Sequence, residues 1–226
     1  MFTALLHLCF PHVCESCGNT LTHTEAFLCH QCTVQLPRTG FQHFTENPVE
    51  KLFYGRLQVQ HALAAYYFSQ ASMLRKLVHK IKYRHKRKLT FYMGKQMGMI
   101  LAQTSWINQI TCIVPVPITK KREKFRGYNQ SALLSAGIAA VINKPVLSHA
   151  LKRVVFTASQ TRKSRILRWQ NVQHAFHLEN PELLKDEHVL LIDDVITTGA
   201  TTEACGKLFQ QANIPFSICS LAYARH

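Results

Sequence analysis

Residues 189 to 201 read Val-Leu-Leu-Ile-Asp-Asp-Val-Ile-Thr-Thr-Gly-Ala-Thr, and no other stretch restricts the fold of this chain as much. Val189 to Ile192 are apolar without alternation, the pattern of a strand buried on both faces, as in a parallel sheet. Two adjacent carboxylates, Asp193 and Asp194, follow at the strand's C-terminal end. In an open α/β sheet that edge is where ligands bind, and Thr197 to Thr201 lead into the next helix with backbone N–H groups free to receive an anion. The bland reading is a strand-turn-helix junction with two solvated acids. The chemical reading is a cradle that takes a phosphate in the loop and sugar hydroxyls on the acids.

The spacing sets this loop apart from other phosphate loops. A Walker A loop needs a lysine after its last glycine and a dinucleotide fold needs three spaced glycines; neither is present here. A phosphorylated ribose suits what is present, with Asp193 and Asp194 accepting from the 2- and 3-hydroxyls while Thr197, Thr198, Gly199, Ala200 and Thr201 hold the 5-phosphate. The stretch resembles the phosphoribosyl pyrophosphate (PRPP) motif of type I phosphoribosyltransferases. A second segment, Ile113-Val114-Pro115-Val116-Pro117, is similar to the start of the pyrophosphate loop in amidophosphoribosyltransferases, which adds Pro115 and Val116 to the expected PRPP contacts. Next come Lys120 to Lys124 and then Arg126-Gly127-Tyr128-Asn129-Gln130. Gly127 allows a turn there, Asn129 or Gln130 can cap the following helix, and Arg126 joins the PRPP contacts.

Four of the eight cysteines fall as Cys14-x2-Cys17 and Cys29-x2-Cys32. Each tight pair can place two thiolates on one side of a turn, and two such turns complete a tetrahedral zinc site without an open position, so the zinc is expected to be structural. The competing reading is a redox disulfide pair. Cys9, His12, His23 and His30 stay outside the ligand set, and Cys112, Cys205 and Cys219 sit in apolar contexts that suit buried thiols.

Charge is unevenly spread. Residues 51 to 178 hold 23 Lys and Arg against the single acid Glu123, whereas the rest of the chain holds 4 basic and 11 acidic residues, which together give the net +15. Such an acid-free run points to a polyanionic partner. Its densest part, Arg75 to Lys95, contains nine basic residues with Tyr83, Phe91 and Tyr92 among them, a mixture suited to gripping a backbone and stacking unpaired bases. The candidate DNA contacts are Arg75, Lys76, Lys80, Lys82, Arg84, Lys86, Arg87 and Lys88. A solvated basic face whose aromatics belong to the core is the alternative.

Leu74, Leu77, Val78 and Ile81 recur at helical spacing, so residues 71 to 83 read as an amphipathic helix with its basic side outward. The pattern further predicts a helix over 89 to 103, weakened by Gly94 and Gly98, a strand over 110 to 116, a helix from about 128 to 142, and strands near 57 to 68 and 216 to 223. Strands alternating with helices make the fold class α/β, with a mainly parallel sheet flanked by helices. Pro37, Gly40 and Pro48 mark the expected boundary between an N-terminal zinc-binding segment, residues 1 to 40, and the main domain, 41 to 226. No run of about 18 apolar residues suggests a membrane span, and the first ten residues lack the basic start of a signal peptide, so a cytoplasmic protein without stable membrane insertion is expected.

A further basic stretch, Thr157-x2-Gln160 with Arg162, Lys163, Arg165, Arg168 and Asn171, has the character of a flap over a pyrophosphate. Together with the four cysteines, Lys82-Tyr83-Arg84, Arg-Gly-Tyr-Asn-Gln and the acid motif, its order and spacing resemble the ComF family of competence and DNA-utilisation proteins. That resemblance covers nearly the whole chain. It implies a type I phosphoribosyltransferase-like domain behind a zinc-binding segment, a role in handling imported single-stranded DNA, and a DNA-uptake helicase or recombination proteins as protein partners. One departure is His85, which stands where the family pattern has a glycine and puts a tight turn in doubt. Two mechanisms follow. In one the protein is an active phosphoribosyltransferase, with Asp193 and Asp194 as catalytic residues and Mg2+ held by the oxygens of PRPP; in the other the pocket binds PRPP while the basic surface carries DNA.

Overall fold

A computed structural model of the chain describes residues 12–69, 72–154 and 175–224. Cys9 and the Thr157 to Asn171 stretch lie outside the described residues. In chain order the elements are α1 (His30–Val34), α2 (Pro48–Lys51), β1 (Ala62–Phe68), α3 (Met73–Tyr83), α4 (Arg87–Leu101), β2 (Cys112–Pro115), α5 (Lys120–Arg126), α6 (Gln130–Ile142), β3 (Leu151–Arg153), β4 (Phe176–Leu178), β5 (Val189–Ile196), α7 (Ala200–Gln211) and β6 (Phe216–Ala224).

The expected α/β architecture is present. Strands β1, β6, β5 and β2 lie side by side in that order and every neighbouring pair is parallel. Parallel neighbours need crossovers, so both faces are covered and strand β5 has no solvated side. Val189 to Ile192 are accordingly fully buried. The register sets Pro115 beside Ile192 and Asp193 beside Ser220, which brings the C-terminal end of β2 level with the first acid.

Helix α3 forms because its apolar residues share one stripe. Leu74, Leu77, Val78 and Ile81 are all buried, and the Ser72 hydroxyl caps the helix by accepting from the Arg75 N–H at 3.3 Å. The glycines of the next helix have a packing role beyond any loss of helix propensity. A Cβ at Gly94 would overlap the Leu134 carbonyl, and one at Gly137 the Phe91 carbonyl, so α4 and α6 approach each other backbone to backbone.

Helix α5 and strands β3 and β4 were not legible in the hydrophobic pattern. Helix α5 is almost wholly charged and has no buried residue; the Thr119 hydroxyl caps its start, and Gly127 at φ 75 ends it. Strands β3 and β4 form a separate antiparallel pair, each too short to show a period.

The chain between the cysteines and the sheet runs along the β1 edge. Thr39 N–H donates to Ala65 O at 3.1 Å and Tyr67 N–H to Pro37 O at 2.8 Å, which pairs an otherwise open strand edge.

Candidate functional site

Strand β5 ends by delivering Asp193 and Asp194 to the sheet edge, where each finds a different neighbour. The Asp194 N–H donates to Asp193 Oδ1 at 2.8 Å, and the Ser131 hydroxyl, in the first turn of α6, lies 3.5 Å from the same oxygen. Asp194 meets a cation instead: Lys82 Nζ lies 3.0 Å from its Oδ1. Burial, and then the Asp194 charge, push the Asp193 carboxyl up to about 7, against the pull of the Asp194 N–H, Lys82 and Ser131.

The loop after the acids forms a small recess lined by Asp193 and by residues Val195 to Thr202. Gly199 stands at φ 76 as the N-cap of α7 and offers no side chain to the first turn, so the amides there face the recess without a built-in acceptor from the cap. Glycine is required twice over at this point. The positive φ is strained for any other residue, and a Cβ would lie 2.9 Å from Phe53 Cε1. The loop is also braced from outside. Arg56 Nη1 donates to Thr198 O at 3.2 Å, while Arg56 Nη2 pairs with Glu203 on the first turn of α7. Lys207 holds the other Glu203 oxygen at 2.9 Å.

Of the other expected contacts, Pro115 and Val116 lie beside the end of β5, whereas Arg126 meets Gln130 and Tyr83. Val116 N–H donates to Ile192 O at 2.9 Å, and Val116 O accepts from Asn129 Nδ2 at 3.1 Å. Asn129 Oδ1 also caps α6 by accepting from Ser131 N–H at 3.0 Å, so one residue fixes both the β2 exit and the serine beside Asp193. Arg126 Nη1 donates to Gln130 Oε1 at 2.8 Å, and its guanidinium lies 5.8 Å from the Tyr83 ring centroid. Tyr128 is a bolt. Its hydroxyl donates to Ile81 O at 2.7 Å and lies 2.7 Å from Thr90 Oγ1, tying α3, α4 and the Arg-Gly-Tyr-Asn-Gln element together.

His85 makes the turn that its identity put in doubt. It adopts φ 51, in the left-handed region, and its Nδ1 sits where a Cβ on Gly127 would come within 2.8 Å. Gly127 therefore makes room for the histidine.

The eight basic residues expected to touch DNA do not share one environment. Arg84, Lys86, Arg87 and Lys88 are exposed beyond the end of α3. Lys80 and Lys86 both reach back to Glu15, between the first two cysteines, at 2.9 and 2.8 Å. Lys82 is at the acid pair. Among the aromatics, Tyr83 is 49% exposed, whereas Tyr92 packs against Phe27 of the cysteine segment with ring centroids 5.3 Å apart.

The cysteines meet as their spacing demands. The sulfurs of Cys14, Cys17, Cys29 and Cys32 all lie within 4.8 Å of one another, and all four are free thiols. Cys29 N–H donates to Cys14 Sγ at 3.3 Å, the amide-to-thiolate bond that favours a charged sulfur. This donor set fits a zinc ion: four soft ligands converging without a solvent position of their own. Cys112, Cys205 and Cys219 are buried, and burial pushes their thiols up, Cys112 to about 12.

No model of a known protein family matches the chain. The DNA utilization protein YhgH of Escherichia coli K12 is 28% identical over 199 residues, which span 87% of this chain and 83% of that protein. Competence protein F of Haemophilus influenzae is 39% identical over 106 residues, 45% of each chain. Competence protein ComFC of Bacillus subtilis is 30% identical over 113 residues, 50% of this chain and 44% of that one. The chain is thus similar to proteins named for competence and DNA utilisation. Among solved structures, an adenine phosphoribosyl transferase from Trypanosoma brucei, in complex with AMP, pyrophosphate and ribose-5-phosphate, matches over 80% of this chain and 81% of its own, with a TM-score of 0.33 and 16% identity. That likeness is too slight to bear on function. The sequence reading missed Ser131, Arg56, Phe53 and Glu203 as supports of the site. Ser131, Arg56 and Phe53 act from distant segments, and Glu203 is marked only by its partner Arg56, so no local motif signals them.

Proposed function

We propose that this protein handles imported single-stranded DNA in the cytoplasm and carries a pocket for PRPP. The observation that supports the pocket best is the join of the Asp193–Asp194 pair to the Gly199-capped loop at the C-terminal edge of β5. An acceptor pair and a set of helix-start amides, one turn of chain apart, match the hydroxyls and the 5-phosphate of one ribose. Thr197, Thr198, Gly199, Ala200 and Thr201 hold the phosphate in this reading. Pro115, Val116 and Arg126 border the diphosphate, with Mg2+ carried by the ligand's own oxygens.

The basic surface from Arg75 to Lys88 takes the DNA backbone, and exposed Tyr83 can stack a base. Residues 1 to 40 are read as the zinc-binding segment, and residues 41 to 226 as a phosphoribosyltransferase-like domain. Phosphoribosyl transfer would further require an acceptor pocket, and none of the residues described above defines one, which favours the binding role. Isothermal calorimetry with PRPP tests the pocket: an Asp193→Ala, Asp194→Ala double variant is expected to lose the binding heat, and unchanged affinity would remove the pocket. Fluorescence anisotropy with a labelled single strand across a salt series tests the surface, where affinity should fall steeply as salt rises.

A further inference from the structure

Helix α3 carries two kinds of lysine. Arg75, Lys76, Lys80 and Arg84 line an open groove of about 520 Å3 that Glu15 and Ser16 of the cysteine segment also border. Lys82, in the last turn of the same helix, belongs instead to the acid pocket, where its side chain is 21% exposed and that of Asp194 15%. Each partner of this sheltered pair is a group that a ligand would compete for. Asp194 is an acceptor for a sugar hydroxyl, and Lys82 is a donor for a phosphate.

The backbone of α3 is fixed. Ser72 caps its start, four apolar residues anchor its inner face, and Tyr128 bonds the Ile81 carbonyl one residue before Lys82. What can move is the lysine side chain, a compact charge on a flexible four-carbon stem.

We propose that Lys82 is a positioning residue of the acid pocket that links it to the basic helix. In the structure Lys82 is paired with Asp194. A ribose hydroxyl at Asp194 releases Lys82 toward a phosphate at the C-terminal turn of α3, and a phosphate there releases Asp194 toward a hydroxyl. The two events favour each other, because each removes the same competing contact. This inference rests on reading the acid pocket as the PRPP site and α3 as the DNA surface.

Linkage fixes the form of the result: whatever factor DNA applies to PRPP affinity, PRPP applies to DNA affinity. The experiment titrates PRPP into the full-length protein by calorimetry, with and without a saturating oligothymidylate, and repeats the oligonucleotide titration by anisotropy with and without PRPP. Each ligand is expected to tighten the other by a common factor of about fivefold or more. A K82M variant should bring that factor to about one, whatever it does to the separate affinities. K82R, which keeps a cation able to reach the carboxylate, should restore it. Ribose 5-phosphate, with the same hydroxyls and no diphosphate, should show the same coupling.

The failures are separable. Two ligands that bind wild-type protein independently would overturn the link and leave the pocket intact. Coupling that survives in K82M, or that requires the diphosphate, would overturn the part given to Lys82. No PRPP binding under any condition would overturn the pocket itself, and the link with it.

Discussion

Two carboxylate sites draw on the lysines around α3 with opposite ratios. Glu15, in the cysteine segment, receives both Lys80 and Lys86. Among the described residues, the one ion pair recorded to the Asp193–Asp194 pair is that of Lys82. Burial raises the Glu15 carboxyl, but the hydrogen bonds and charges of Lys86 and Lys80 outweigh it and hold the group below the usual carboxylate range. At the acid pair burial and mutual repulsion win, and Asp193 is pushed up. An acid with two cations is a finished structural clamp. A pair of acids with one cation still has acceptor capacity to fill, which is the electrostatic signature of a ligand site.

The largest effect that could break this comparison is loss of the metal, because the clamp hangs on the cysteine turns. Elemental analysis is expected to give about one zinc per chain, and replacing Cys14 and Cys17 by alanine should abolish it. Structural sites of this kind contribute about 10 to 16 kcal/mol of apparent binding energy in isolated finger peptides, so the segment should unfold with the metal. Hydrogen exchange should then rise through residues 12 to 36, while the β5 amides stay protected. A metal-free protein with its segment still protected would contradict the zinc assignment.

Next in size is Gly199→Ala, which attacks the other site. The left-handed backbone costs about 1 to 2 kcal/mol for a residue with a Cβ, and the contact with Phe53 adds to it. Denaturant unfolding should show that loss, and calorimetry a matching drop in PRPP affinity. Full stability with Gly199→Ala would mean that the loop relaxes away from Phe53.

The fold was legible where a period was long enough to read. Residues 189 to 192 and the stripe from Leu74 to Ile81 state their burial directly, and the four central strands and the long helices follow. The site was legible as a motif, since Asp193, Asp194 and the loop are contiguous. Its supports were not. Arg56 lies 147 residues from its partner Glu203, and Ser131 lies 62 from Asp193, so only the folded chain brings them together. Charge was the most misleading signal. The run from Arg75 to Lys88 reads as one solvated face, yet three of its lysines are committed to carboxylates from distant segments. Counting cations along a sequence cannot show which are already neutralised.

A smaller effect tests the acid pair through pH. The Asp193 carboxyl has a folded pKa above its unfolded value near 4, so the native state keeps its proton longer than the unfolded chain does. Stability contributed by this group is therefore greatest at low pH and declines as pH rises through about 7. Asp193→Asn cannot titrate and should flatten that decline in unfolding curves taken between pH 5 and pH 8. An unchanged slope would place the raised carboxyl elsewhere.

The smallest effect is at Glu15, and it sharpens the comparison most. The side chains of Lys80 and Lys86 are 36% and 45% exposed, so solvent screens both pairs, and Glu15→Gln should cost only about 1 kcal/mol or less. Its effect on DNA should run the other way. Freeing two cations beside the groove should tighten single-strand binding and steepen the salt slope by about 1.4, at roughly 0.7 per phosphate contact on a single strand. Anisotropy across a salt series reads both numbers. If Glu15→Gln instead weakens binding, the two lysines serve the zinc segment alone, and the DNA surface must lie beyond them, toward Arg84, Arg87 and Lys88.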